Sequence, residues 1–214
     1  GNTIDLGIRG NINKLISYDL TLFNLNYKDR IGFAQKEFKD GSVKSERGNI
    51  GDAIIYGLES NIDFDVNNLI IKNDNISLNV FLNTAIIDSE YIRSEENGVI
   101  GKKVEFVPNY NIKTGIKLGI GNFIFNTQYS HVSTQFTDSS NAREGNISGI
   151  IGEIPGYSLL DFSIAYRLKK IKIETGINNL TNTYYFTRRA TGYPGPGIIP
   201  SPPRNSYLTL QIRF

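Results

Sequence analysis

Apolar and polar residues alternate along most of this chain, so that every second side chain falls on the same face. In the last ten residues Leu208, Leu210, Ile212 and Phe214 share one face and Thr209, Gln211 and Arg213 the other. "LLDFSIAYRL" sets Leu160, Phe162, Ile164, Tyr166 and Leu168 against Asp161, Ser163, Ala165 and Arg167. "IKIETGIN" opposes Ile171, Ile173 and Ile177 to Lys172, Glu174 and Asn178, and "YNIKTGIKL" opposes Tyr110, Ile112, Ile116 and Leu118 to Asn111, Lys113 and Lys117. No helical window competes with these, and Gly and β-branched residues are plentiful. The pattern predicts nine strands, near 2–10, 15–33, 51–66, 75–91, 105–119, 122–136, 157–168, 170–180 and 205–214. Several exceed the usual length of about five or six residues.

The connections alternate as well. "NINK", "IGN" and "KK" are short and "NNLIIKND" is moderate, whereas "AQKEFKDGSVKSERGNI", "RSEENGVIGKKVE", "DSSNAREGNISGIIGEIPG" and "TNTYYFTRRATGYPGPGIIPSPPR" are long and polar. Short turns at one end and long loops at the other describe a transmembrane β-barrel of the outer-membrane kind. Aromatic residues divide into two sets on this plan: Tyr18, Phe64, Phe123, Tyr166 and Phe214 near the short turns, and Tyr27, Tyr56, Tyr91, Tyr129, Tyr157 and Tyr207 near the long loops. Two such belts are what rings at headgroup depth produce. A soluble sandwich or lipocalin-like barrel also alternates, but Asp161, Arg167, Lys172 and Glu174 in strand interiors suit a wet lumen better than a packed core. If the C-terminus lies on the periplasmic side, counting back through nine strands puts the N-terminus outside the cell. Bacterial barrels close with an even number of strands, so at least one upstream strand is expected to be missing.

Composition narrows the function. The 214 residues include no Cys, Met or Trp and carry a formal charge of +2 with both signs mixed, which offers no basic stripe for nucleic acid. The lack of an initiating Met and of a signal peptide suggests a processed or truncated piece. His131 is the only histidine, and without cysteine a histidine–thiolate metal cluster or a thiol nucleophile is excluded. No catalytic triad is recognisable, so no enzyme activity and no cofactor are expected. "TDSSNAREGN" lacks calcium-loop spacing and reads as a solvated loop, and "GIKLGIGNF" fails the dinucleotide pattern. Charges such as Glu59, Asp63, Lys113, Lys117 and Arg213 read as lumen residues that pair across strands or sit solvated. In the last loop Arg188, Arg189 and Arg204 offer planar forks for carboxylates, with Tyr184, Tyr185 and Tyr193 as hydrogen-bonding surface and Pro194 to Pro203 restricting the chain. This makes the loop a candidate for an anionic metal chelate; the competing reading is that its arginines tie it to neighbouring loops.

"YDLTLFNLNYKDRIG", "IYGLESNIDF", "VEFVPNYNIKTGIKL" and "GINNLTNTYYFTRRATGYPGPGIIPSPPRNSYLTLQIRF" resemble strands and the C-terminal hairpin of TonB-dependent outer-membrane receptors, in particular the ferric-citrate-type branch of Bacteroidetes-like sequences. The resemblance implies that residues 1–214 are the C-terminal part of a barrel of about 22 strands around a plug domain not contained in them. It further implies uptake of a ferric siderophore or ferric citrate in a Gram-negative outer membrane, with the TonB complex acting through the plug and outer-membrane lipids around the wall. Tyr207, Leu208, Leu210, Ile212 and Phe214 resemble the terminal signal read by the barrel-assembly machinery. A passive porin or structural barrel is the alternative function.

Overall fold

The computed structural model describes residues 1–40, 42–71, 73, 75–190, 192 and 195–214. Its strands are β1 Asn2–Ile12, β2 Ile16–Glu37, β3 Val43–Asp65, β4 Ile76–Arg93, β5 Tyr110–Ile120, β6 Phe123–Val132, β7 Tyr157–Leu168, β8 Ile171–Asn178, β9 Phe186–Ala190, β10 Gly197–Pro200 and β11 Asn205–Ile212. Nine of them form one antiparallel sheet in the order β1-β2-β3-β4-β5-β6-β7-β8-β11, while β9 and β10 make a separate ribbon. These nine are the strands that the alternation predicts. The sheet is open, with β1 and β11 at its two edges.

Register converts the alternation into two continuous surfaces. Leu22 faces Leu58, Leu58 faces Ile86 and Ile86 faces Tyr110, which makes an apolar row across four strands. On the other face Asp19 meets Asn61, Asn61 meets Asn83, Asn83 meets Lys113 and Lys113 meets Ser130. The apolar side is uncovered: Leu6 is 70% and Leu208 75% exposed. An apolar face this extensive is a liability in water and an asset against lipid. Hydroxyls on that face find partners. Ser60 and Thr84 hydroxyls bond each other at 2.6 Å, and Thr114 and Thr175 donate to the carbonyls of Phe81 and Tyr207 at 2.8 Å. In hydrocarbon such pairing is obligatory.

A recurring device shapes the polar face. Phe23 faces Gly57, Phe81 faces Gly115 and Tyr207 faces Gly176. A Cβ on Gly115 would stand 2.5 Å from the Phe81 ring, and one on Gly176 2.7 Å from the Tyr207 ring. Each ring therefore lies over a glycine on the adjacent strand, covering backbone that the missing side chain would leave bare.

Several boundaries differ from expectation. The β2–β3 ladder continues to Glu37 and Val43, through residues 34–50 that read as loop. Its tip is held by Asp40, whose carboxylate accepts from the backbone N–H and hydroxyl of Ser42. β5 starts at Tyr110, not 105, because Phe106 takes a left-handed conformation (φ 59°) and Pro108 cannot donate to a ladder. The moderate turn after β3 contains a π-helical turn, Asn67–Ile71.

The lower aromatic belt is on the outer face, with Phe123 and Tyr166 rings 4.8 Å apart. The upper belt is smaller than expected. Tyr91 is fully buried, Tyr157 packs against Tyr185 with ring centroids 4.7 Å apart and tilted by 32°, and Tyr207 lies on the polar face. Tyr56 and Tyr129 remain exposed on the apolar side.

Candidate functional site in the outer loops and lumen

At the long-loop end the strands outrun their apolar band, and the loops acquire a core of their own. Ala34, Ile50, Ala53, Tyr91, Val99 and Val104 pack together beneath the β4–β5 loop. Arg30 donates to Tyr91 Oη and to Glu105 Oε1, both at 2.7 Å, and Tyr91 donates to Glu105 Oε2 at 2.7 Å. Glu105 is 2% exposed, so the loop is pinned to the hairpin by a buried charge with a matched partner. Burial, reinforced by the Glu105 carboxylate, pushes the Tyr91 hydroxyl above its ordinary range. Gly32 makes room: a Cβ there would stand 2.4 Å from Glu105 Oε1.

A more exposed cluster closes the side of the same hairpin. Arg93 bonds Asp52 at 2.7 and 3.0 Å and Asp29 at 3.1 Å. The Arg93 guanidinium, helped by the Asp29 backbone N–H, holds the Asp52 carboxyl down to about 2. Asp88 pairs with Lys103 and accepts from Tyr56 Oη.

The β6–β7 loop, expected to be solvated around "TDSSNAREGN", is instead locally buried, with Thr137, Asp138 and Ser139 each at most 3% exposed. Thr137 donates to the Gly152 carbonyl at 2.9 Å. Asn141 exchanges hydrogen bonds with the Lys103 backbone at 2.6 and 2.9 Å, joining this loop to the β4–β5 loop. The Thr137 hydroxyl and the Asp138 carboxylate, which accepts from the Ser140 backbone N–H at 2.8 Å, satisfy the loop's own backbone, which is what lets so polar a segment pack inward.

Arg189 ties the last loop to this assembly. Its guanidinium donates to the Glu153 carbonyl at 2.8 and 3.0 Å and to the Gly149 carbonyl at 2.7 Å, and sits over the Phe186 ring at 5.1 Å. Neighbouring residues on a strand point opposite ways, so Arg188 is left exposed. Arg204 is exposed and reaches the Leu180 carbonyl at 3.5 Å. Tyr184 is 86% exposed, and the Tyr185 ring packs against that of Tyr157. The predicted group is therefore divided: Arg189 and Tyr185 are tethers, while Arg188, Arg204 and Tyr184 face solvent. Tyr193 and Pro194 lie outside the described residues.

Below the loops the polar face forms several hollows. One of about 490 Å³ is lined by Asp19, Glu59, Asn61, Asn83 and Lys113; another of about 410 Å³ by Asp63, Asn79, Lys117, Asn126, Asp161 and Tyr207. The Asn83 side-chain oxygen is buried without a partner among the described residues. Of the lumen charges, Lys172 pairs with Glu174 at 2.5 Å along one strand rather than across two. His131 bonds the Ser158 hydroxyl at 2.9 Å. Arg30, Glu105 and Asp138 escaped the sequence reading; the lone acid in the apolar "VEFV" was the available signal for Glu105.

A family model described as TonB dependent receptor-like β-barrel matches residues 1–180. Among solved structures, the ferric citrate transporter FecA in its unliganded form aligns with a TM-score of 0.80 at 24% identity, over 99% of this chain and 31% of that one. The ferric yersiniabactin uptake receptor FyuA from Yersinia pestis gives 0.72 at 18%, over 99% and 29%. The copper transporter OprC also gives 0.72 at 18%, over 99% and 31%. The chain thus spans about three tenths of the length of the structures whose fold it shares.

Proposed function

Because the chain belongs to the TonB dependent receptor-like β-barrel family, we propose that it is the C-terminal part of the barrel wall of a Gram-negative outer-membrane receptor that takes up an iron chelate. A ferric siderophore or ferric citrate is the ligand class. The family and fold are those of transport receptors rather than enzymes, so the reading is capture and gated import. In it the plug is encoded outside residues 1–214 and receives the pull of the TonB complex, lipids bathe the apolar face, and the alternating residues Tyr207, Leu208, Leu210, Ile212 and Phe214 serve the assembly machinery.

One observation carries the ligand class. At the loop end Arg189 is consumed as a tether, whereas Arg188, Arg204 and Tyr184 remain exposed on a loop that the tether holds in place. Positioned guanidinium forks suit a carboxylate-rich chelate, and a held loop loses less entropy on capture. A charge-assisted hydrogen bond contributes about 1.5–3 kcal/mol, and each 1.4 kcal/mol is about tenfold in affinity. Equilibrium dialysis of ferric citrate against the purified full-length protein is the test. The R188Q/R204Q double variant is expected to bind at least about tenfold more weakly. Unaltered affinity in that variant would remove these residues from the site.

A further inference from the structure

The short-turn end of β7–β8 carries a concentration of positive charge that neither ligand capture nor strand pairing uses. Arg167, Lys169, Lys170 and Lys172 fall within six residues, and the ladder brings Arg213 beside them, its backbone N–H donating to the Lys170 carbonyl at 2.9 Å. Arg167 faces Lys172, and Lys172 faces Gln211, so the group opens on the polar face of the sheet. Together these six residues line a hollow of about 200 Å³.

The cluster is not neutralised from within. Among the described residues Glu174 is the acidic side chain at the cluster, and it is already engaged by Lys172 at 2.5 Å and by the Tyr207 hydroxyl at 3.1 Å. Arg167, Lys169, Lys170 and Arg213 have no acidic partner among the described residues. Other short turns are not built this way: Gly121–Asn122 carries no charge and Asn13–Lys14 carries one. Like charges held this close repel unless a counter-ion joins them, and a concave wall concentrates their field.

We propose that this rim hollow is a binding site for a compact, multiply charged oxyanion bearing phosphate groups. Its volume is below the roughly 300–1,000 Å³ of sites for drug-sized ligands, which selects a single headgroup-sized anion. Lysine and arginine together supply point charges and planar forks for phosphate oxygens. The assignment of this rim to the periplasmic side rests on the receptor reading; the charge cluster itself does not.

The test is calorimetric titration of the full-length protein, in phosphatidylcholine nanodiscs at low ionic strength, with inorganic pyrophosphate. Saturable binding is expected, weakened at least about tenfold in R167Q/K170Q/R213Q and retained in K113Q/K117Q, whose lysines lie elsewhere on the same face. K170Q alone, at an exposed turn position, is expected to weaken binding about threefold and guards against misfolding of the triple variant. Raising salt must weaken binding steeply, since screening acts over about 8 Å at physiological ionic strength. Absence of saturable binding, or equal affinity in the triple variant and the parent, overturns the proposal. Phosphatidylglycerol nanodiscs then separate the sources: competition by that lipid identifies a headgroup, and undiminished pyrophosphate binding identifies a soluble anion. Failure of ferric citrate to bind leaves this result untouched, because probe and residues differ.

Discussion

At the scale of single residues, charge and shape are matched most tightly where the strands leave the apolar band. Removing the Glu105 carboxylate leaves the Arg30 guanidinium half-buried beside an apolar cluster, and breaking such a pair from one side costs about 3–5 kcal/mol. E105A is therefore expected to release the β4–β5 loop, seen as faster proteolysis between residues 94 and 109. Y91F, which leaves an Arg30 N–H donor and the Glu105 Oε2 acceptor without their shared hydroxyl, is expected to cost less, about 1–3 kcal/mol. Equal resistance of E105A and the parent would show that the pin is idle. Packing gives a second case. G115L puts a side chain where the Phe81 ring lies, and F81A in the same chain should restore part of the lost folded fraction, read by heat-modifiable gel mobility. The pH response follows from Asp52. Its carboxyl is held at about 2, below its ordinary value, so its stabilisation is full above about pH 4 and is lost as pH falls through about 2. Hydrogen exchange of the outer hairpin is expected to be flat from pH 7 to about 4, after correction for the intrinsic rate, and to quicken below that.

At the scale of elements, the hairpins and loops divide the work between wall and rim. R189Q removes three bonds to the β6–β7 loop and is expected to raise exchange at residues 145–155 while leaving the strand ladder protected. R188Q, on the same short strand, should not. A variant pair behaving alike would contradict the separation of tether from ligand contact. This division also shows what was legible beforehand. The nine strands were readable because each keeps apolar residues to one face of the sheet, which writes a period of two into Leu22, Leu58, Ile86 and Tyr110. Residues 34–50 escaped because beyond the band most of the sequence is polar, and the few apolar residues there, Ala34 and Ile50 among them, are too widely spaced to set a hydrophobic rhythm. Tyr91, Tyr157 and Tyr207 were placed in the outer belt by their height along the strands alone; the register turns them inward, onto Arg30 and Glu105, onto Tyr185, and over Gly176. In the last loop the arginines were visible, but adjacency in sequence concealed that Arg188 and Arg189 take opposite sides of β9.

At the scale of the whole molecule, the sheet has an uncovered apolar face, a polar and charged face, loops locked together at one end and a basic rim at the other. A wall with these properties fits the receptor proposed above, which has a bilayer outside and a ligand path inside. The most direct measurement is uptake of radioactive ferric citrate by cells carrying the full-length gene, by cells lacking it, and by carrying cells treated with a protonophore. The receptor reading predicts saturable accumulation that depends on the gene and collapses when the proton gradient is discharged. Accumulation that is linear in ligand concentration and indifferent to the protonophore would contradict it and describe a passive pore.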